Sequence, residues 1–187
     1  MGRLIYVTGG ARSGKSRFAE KIAMDSGLPV SYIATAVACD GEMCDRIARH
    51  RQDRPAGWHT VEAWRDLNAV LAALRRGCAL LDCVTVMVTN LILMEPGVDW
   101  DSARTLAPEV AEAIESRVME QIDLLAAGID AYESLTIAVS NEVGMGLSPA
   151  YPLGRLFRDI AGRVNQRLAQ RADEAWVVLS GIPLRIK

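Results

Sequence analysis

The sequence predicts an α/β domain with a mainly parallel sheet and helices on both faces. Short, largely apolar runs recur at residues 4–7, 30–33, 78–83 and 135–139, as expected of strands buried on both sides. Stretches with apolar residues every three or four positions alternate with these runs. The first run leads straight into a glycine-rich loop and then an amphipathic stretch, the order of a βα unit in a doubly wound sheet.

The elements follow in order. Leu4, Ile5, Tyr6 and Val7 form the first strand, ending at Thr8 and Gly9. Residues 16–25 read as a helix with Phe18, Ala19, Ile22 and Ala23 on one face, closed by Gly27 and Pro29. A second strand spans 30–33. Residues 42–52 read as a highly charged helix, stopped by Pro55. Residues 64–76 carry Leu67, Val70, Leu71 and Leu74 at helical spacing, and 78–83 form a third strand. Residues 102–127 are mostly helical, with Val110, Ile114, Val118, Ile122 and Leu125 in phase and Pro108 suited to the first turn. A fourth strand at 135–139 precedes a helix at 153–170, and short strands follow at 176–179 and 184–186. No repeat, low-complexity tract or linker divides the chain, so one domain over 1–187 is expected.

Composition narrows the function. The net charge of −2 and a pI near 5.7 speak against a protein that lives on nucleic acid. The longest uncharged apolar stretch, 83–94, is too short to span a bilayer. The chain runs from Met1 into its first strand with no signal-like region, which predicts a cytoplasmic protein. Its cysteines, Cys39, Cys44, Cys78 and Cys83, form no CxxC pair, and with 2 histidines they read as reduced thiols rather than a zinc site.

Gly9-Gly10-Ala11-Arg12-Ser13-Gly14-Lys15-Ser16 matches GxxxxGK[ST]. The glycines let backbone N–H groups turn toward phosphates, and the following helix adds its positive end. Lys15 is expected to reach the β- and γ-phosphates and the Ser16 hydroxyl to ligate Mg²⁺. A chance match in a chain of this length is on the order of one in a hundred, and the flanking strand and helix lower the odds further. The motif makes the expected fold P-loop NTPase-like (RecA-like). Asp82, at the end of the third strand, is the natural second metal ligand.

The charged segment is the second unusual feature. Arg46, Arg49, Arg51 and Arg54 crowd His50, and Arg46 and His50 share a helix face. Arginine forks suit polyphosphates, and nearby cations favour the neutral imidazole, a nucleophile toward phosphorus. On this segment alone, a solvated helix face with a bystander histidine is the commoner situation.

Longer strings decide between these readings. TGGARSGKS at 8–16, YIATA at 32–36, EMCDRIARHRQDRPAGWHTVE at 42–62, LLDCVTVMVTNLI at 80–92, SNEVGMGLSP from Ser140, and LGRLFRDIAGRVNQRLAQRADEAWVVLSGIPLRIK at the end resemble one family nearly throughout. That family is the bifunctional adenosylcobinamide kinase / adenosylcobinamide-phosphate guanylyltransferase of cobalamin biosynthesis. The resemblance implies two reactions: phosphorylation of adenosylcobinamide by ATP or GTP, then transfer of GMP from GTP through a guanylyl-histidine to adenosylcobinamide phosphate. It places His50 at the nucleophile's position. It implies nucleotide contacts from Ala34, Thr35, Arg51, Gln52, Asp53, Arg54, Glu62 and Asp82, with Glu62 or Thr60 facing guanine. It also implies a homo-oligomer, a trimer.

Asn141 and Glu142 follow a strand end where α/β sheets place ligands, but they equally suit a polar turn. Arg155, Arg158 and Asp159 read either as contacts or as a solvated helix face. Residues 95–133 carry little of the resemblance. The chain has no NKxD guanine motif, and no DxxG follows from Asp82, which disfavours a GTP-dependent switch.

Overall fold

The fold is described from a computed structural model, covering residues 2–36, 55, 57–100 and 105–187. The strands are β1 (Arg3–Gly9), β2 (Val30–Ala34), β3 (His59–Glu62), β4 (Cys78–Asp82), β5 (Leu135–Asn141), β6 (Glu174–Leu179) and β7 (Ile182–Arg185). The helices are α1 (Lys15–Asp25), α2 (Leu67–Ala73), α3 (Val84–Leu93), α4 (Pro108–Tyr132) and α5 (Pro152–Arg171).

The strands form one 7-stranded sheet in the order β3-β2-β4-β5-β1-β6-β7. Every pairing is parallel except β6 with β7. The largely apolar runs are explained by this burial. Leu4, Tyr6, Ala79 and Leu81 face a layer built from α2, α3, α4 and α5, while Ile5, Val7, Cys78 and Leu80 face α1. Adjacent strands β5 and β1 send their chains in opposite directions, since α5 leads to β6 on one side and α1 leads to β2 on the other. Ligands of open α/β sheets gather beyond the strand C-termini at such a switch.

Several sequence expectations need correction. The third helix expected, 64–76, is only Leu67–Ala73, because Asp66 takes a left-handed φ of 51° and Leu74 is extended. The apolar stretch 83–94 is largely a helix, α3; it has no charged residue and its partly exposed side carries Val86, Leu91 and Leu93, so amphipathic periodicity could not reveal it. The edge strand β3 carries exposed His59 and Glu62 and has too short an apolar run to be read as a strand. The long helix begins at Pro108 as the proline suggests and runs past residue 127 to Tyr132. The final strand is 182–185 rather than 184–186. It turns back from β6 through Ser180 and Gly181, both with positive φ (51° and 84°), as a two-residue hairpin requires. The charged helix expected at 42–52 lies outside the described residues. No described helix is long and apolar enough to cross a membrane.

At the far end of the sheet, ion pairs tie helices and strands together. Arg3 meets Glu174, whose carboxyl is held below the usual carboxylate range first by that bond and further by Arg185. Arg171 meets Asp130, joining α5 to α4.

Two glycines separate packing from helix propensity. A Cβ on Gly128 would lie 2.7 Å from the Asn68 Cα, where α4 crosses α2, whereas one on Gly162 of α5 meets nothing within 4 Å. Gly128→Ala is expected to destabilise by about 1–3 kcal/mol despite its better propensity. Gly162→Ala is expected to stabilise by up to about 1 kcal/mol. Urea unfolding of both variants checks the pair; equal shifts would show that the α2–α4 contact yields.

Candidate active site

β1 ends at Gly9, and the chain turns before α1 begins at Lys15. A Cβ on Gly9 would lie 2.5 Å from the Val178 carbonyl oxygen and 2.6 Å from Ser13 Oγ, so β6 and the loop both close on this residue. Arg12 and Gly14 adopt left-handed φ values of 57° and 93°. Ser13 N–H donates to Gly10 O at 3.3 Å, and Gly181 N–H donates to Ser13 O at 2.9 Å, tying the loop to the β6–β7 turn. Among the described residues no side chain caps α1, whose first N–H groups have no partner within the helix. On its open side the loop is clear: a Cβ on Gly10 would meet nothing within 4 Å.

Lys15 is buried, and its Nζ donates to Gly10 O at 3.1 Å, folding the ammonium over the loop. Ser16 is half-buried in the first turn of α1. Asp82 ends β4, half-buried, and alternation from Leu80 puts it on the sheet face covered by α1. Its Oδ2 accepts a hydrogen bond from the Tyr32 hydroxyl at 3.0 Å.

Asp82, Ala34 and Glu62 lie in register as a row across β4, β2 and β3. Ala34 is buried and Glu62 exposed. Thr60, half-buried, pairs with Tyr32. Gly9 pairs with Asn141, so loop and row share the C-terminal edge of the sheet. Thus Gly9, Gly10, Ala11, Arg12, Ser13, Gly14, Lys15 and Ser16 form one loop, with Ala34, Thr35, Glu62 and Asp82 along the same edge. His50, Arg51, Gln52, Asp53 and Arg54 lie outside the described residues.

A belt of polar side chains fixes the strand ends beneath this edge. Thr35 Oγ1 donates to Cys83 O at 2.8 Å and accepts Cys83 N–H at 2.9 Å. Asn90 Nδ2 donates to Thr35 O at 2.8 Å. Asn141 Nδ2 donates to Thr85 Oγ1 at 2.7 Å, and Asn165 Nδ2 to Asn141 O at 3.0 Å. Thr35 is fully buried with its hydroxyl engaged, so its side chain braces β4. Burial pushes the Cys83 thiol up, and the charge of Asp82 adds to this, so the thiol stays protonated at neutral pH.

Other sequence candidates have local structural partners. Glu142 N–H donates to Gly9 O at 3.0 Å, and its carboxylate accepts the Gly144 N–H at 2.7 Å. Arg155 Nη1 donates to the Pro149 and Ala150 carbonyls, and Arg158 pairs with Asp159 at 3.3 Å.

The donors present suit a nucleotide-borne Mg²⁺. No group of three or more His, Cys, Asp or Glu side chains forms a cage among the described residues. One carboxylate and one hydroxyl match an ion that keeps waters and takes its remaining ligands from phosphates. Ser13 Oγ is buried in the loop with no hydrogen-bond partner among the described residues, as expected of a cradle that awaits a polar ligand.

A sequence model of the cobinamide kinase / cobinamide phosphate guanyltransferase family matches residues 5–186. The chain belongs to this family. Its family relatives include the bifunctional adenosylcobalamin biosynthesis proteins CobU of Salmonella typhimurium and of Escherichia coli. Each is 46% identical over 190 residues, covering 98% of this chain and 99% of that protein. The bifunctional adenosylcobalamin biosynthesis protein CobP of Pseudomonas aeruginosa is 40% identical over 183 residues, covering 97% of this chain and 95% of that protein. A solved structure from Pyrococcus horikoshii OT3 superposes on this family member with a TM-score of 0.55 at 9% identity, covering 100% of this chain and 86% of that one. That likeness is one of fold alone.

Sequence reasoning missed the groups that hold the site rather than line it: Tyr32, Thr85, Asn165 and the Ser180–Gly181 turn. The turn had a local signal in its Ser-Gly pair. The others are ordinary strand and helix residues, and only strand order brings them to Asp82 and Asn141.

The loop geometry separates its first two glycines. Gly9→Ala is expected to destabilise the fold by about 1–3 kcal/mol, because its Cβ meets backbone. Gly10→Ala is expected to stay within about 0.5 kcal/mol of the parent. Chemical unfolding curves check this; an unaffected Gly9→Ala variant would mean that β6 does not close on the loop.

Proposed function

We propose that this chain phosphorylates the aminopropanol hydroxyl of adenosylcobinamide with ATP or GTP. It then moves GMP from GTP to adenosylcobinamide phosphate, giving adenosylcobinamide-GDP and pyrophosphate. The observation that carries the reading is the family match over residues 5–186, with the GxxxxGK[ST] loop seated at the C-terminal edge of the sheet. The same loop and strand order support the finer fold assignment, a RecA-like P-loop NTPase, with both reactions in one catalytic domain over 1–187.

In the kinase step the substrate hydroxyl oxygen attacks the γ-phosphorus, the bond to the bridging oxygen breaks, and the hydroxyl proton is lost. Gly9 to Ser16 hold the phosphates through backbone N–H groups. Lys15 exchanges its bond to Gly10 O for the β- and γ-phosphates. Ser16 and Asp82 would hold Mg²⁺ brought with the nucleotide, which would supply charge neutralisation. In the transfer step an imidazole nitrogen of His50 attacks the α-phosphorus and pyrophosphate leaves. A phosphate oxygen of adenosylcobinamide phosphate then displaces the histidine. Two displacements through a phosphorus–nitrogen bond replace one difficult step.

Arg51, Gln52, Asp53 and Arg54 contact the nucleotide together with Ala34 and Glu62, while Thr35, fully buried, acts indirectly by bracing β4. Glu62 or Thr60 reads guanine from the β3 edge. Small molecules, not nucleic acid, are the substrates, and the protein works as a trimer.

Incubation with Mg²⁺ and GTP labelled on the α-phosphate is expected to leave acid-labile, alkali-stable label on the denatured protein, and none on a His50→Ala variant. Label that survives the substitution would move the nucleophile elsewhere. Light scattering on the purified protein is expected to give three times the 20.3 kDa chain mass; a monomer mass would remove the trimer.

A further inference from the structure

Among the described residues, Tyr32 is the side chain that joins the candidate metal ligand to the neighbouring strand. It is 3% exposed, and its hydroxyl donates to Asp82 Oδ2 at 3.0 Å. Across the parallel β2–β4 pair, Tyr32 stands opposite Leu80 and Ala34 opposite Asp82, so the phenol spans a diagonal of two residues on one sheet face. Its ring stacks on Trp58, with centroids 6.4 Å apart and planes inclined by 28°. The ring is therefore held from the β3 side as well as by its own strand. Among the described residues, no other side chain hydrogen-bonds the Asp82 carboxylate, so Tyr32 sets which oxygen is engaged and leaves Oδ1 for a ligand.

We propose that Tyr32 is a positioning residue for nucleotide-bound Mg²⁺: it holds Asp82 by Oδ2 in the rotamer that presents the other oxygen to the metal. This rests on the reading above that Asp82 takes the metal. A carboxylate with two soft side-chain torsions would otherwise sample several rotamers, and the phenol removes that freedom before the metal arrives. Partners of metal ligands typically change metal affinity by roughly 10–100-fold when removed.

Calorimetric titration of GDP, with and without Mg²⁺, into the parent protein, Tyr32→Phe and Asp82→Asn tests this, with thermal melts to confirm folding. Mg²⁺ is expected to tighten GDP binding by the parent. Tyr32→Phe keeps the ring and its stack and loses only the hydroxyl. It is expected to need roughly tenfold more Mg²⁺ for the same tightening, while binding metal-free GDP like the parent. Asp82→Asn is expected to lose the tightening, and adding Tyr32→Phe to it should change nothing more. If Asp82→Asn responds to Mg²⁺ normally, Asp82 is not the ligand, and both readings fail. If Asp82→Asn loses the response but Tyr32→Phe keeps the parent's Mg²⁺ dependence, the positioning role alone is overturned. Equal weakening of metal-free and Mg²⁺-bound GDP in Tyr32→Phe would also overturn it, by reducing Tyr32 to packing. Should Tyr32→Phe not fold, Trp58→Leu, which removes the stack and spares the hydroxyl, takes its place; it is expected to weaken the Mg²⁺ response in the same direction, and a parent-like response would count against the proposal.

Discussion

The site depends on how tightly the chain is drawn together where β1 leaves the sheet. Val178 O and Ser13 Oγ approach Gly9 so closely that no side chain fits between them. The loop is therefore pinned by β6 on one side and by its own first turn on the other. Gly181 N–H adds a third tether through Ser13 O. A loop held this way is braced before any ligand arrives, the condition under which backbone dipoles stabilise charge without a reorganisation cost.

The parallel sheet supplies the second requirement, a common edge. Because β1, β2, β4 and β5 run the same way, their C-terminal ends bring the loop, Ala34, Asp82 and Asn141 to one edge, with Gly9 and Asn141 paired two residues beyond the row that holds Ala34 and Asp82. The buried amide and hydroxyl belt formed by Thr35, Thr85, Asn90, Asn141 and Asn165 then locks the strand ends against one another. Such networks are expensive when incomplete, so this one favours a single arrangement of the edge. Asp82 is held within that frame by Tyr32, and the phosphate loop is held by β6 and β7. Both halves of the candidate site thus rest on neighbours rather than on their own conformational preferences.

Much of this was legible in the chain. Two-sided burial makes parallel strands largely apolar, so β1, β2, β4 and β5 announced themselves, and the amphipathic helices followed from their period. The phosphate loop was legible because its chemistry is local: backbone amides, glycines and one lysine in eight consecutive residues. α3 was not, because a mostly buried helix without a charged residue has no clear polar face to mark its period. β3 was not, because a short edge strand with solvent-facing polar residues looks like a loop.

By itself the sequence determined the α/β class, the βα order around Gly9 to Ser16, the family, and Asp82 as a carboxylate at a strand end. It could do so because each of these is written in neighbouring residues or in long matching strings. Strand order was decided only in three dimensions, and with it everything that depends on contact between distant segments. That β6 rather than another strand presses on Gly9, that β7 folds back to hold Ser13, and that Tyr32 reaches Asp82 across 50 residues of chain are facts of pairing and register. No local propensity encodes them, because the same side chains placed one strand further apart would never meet.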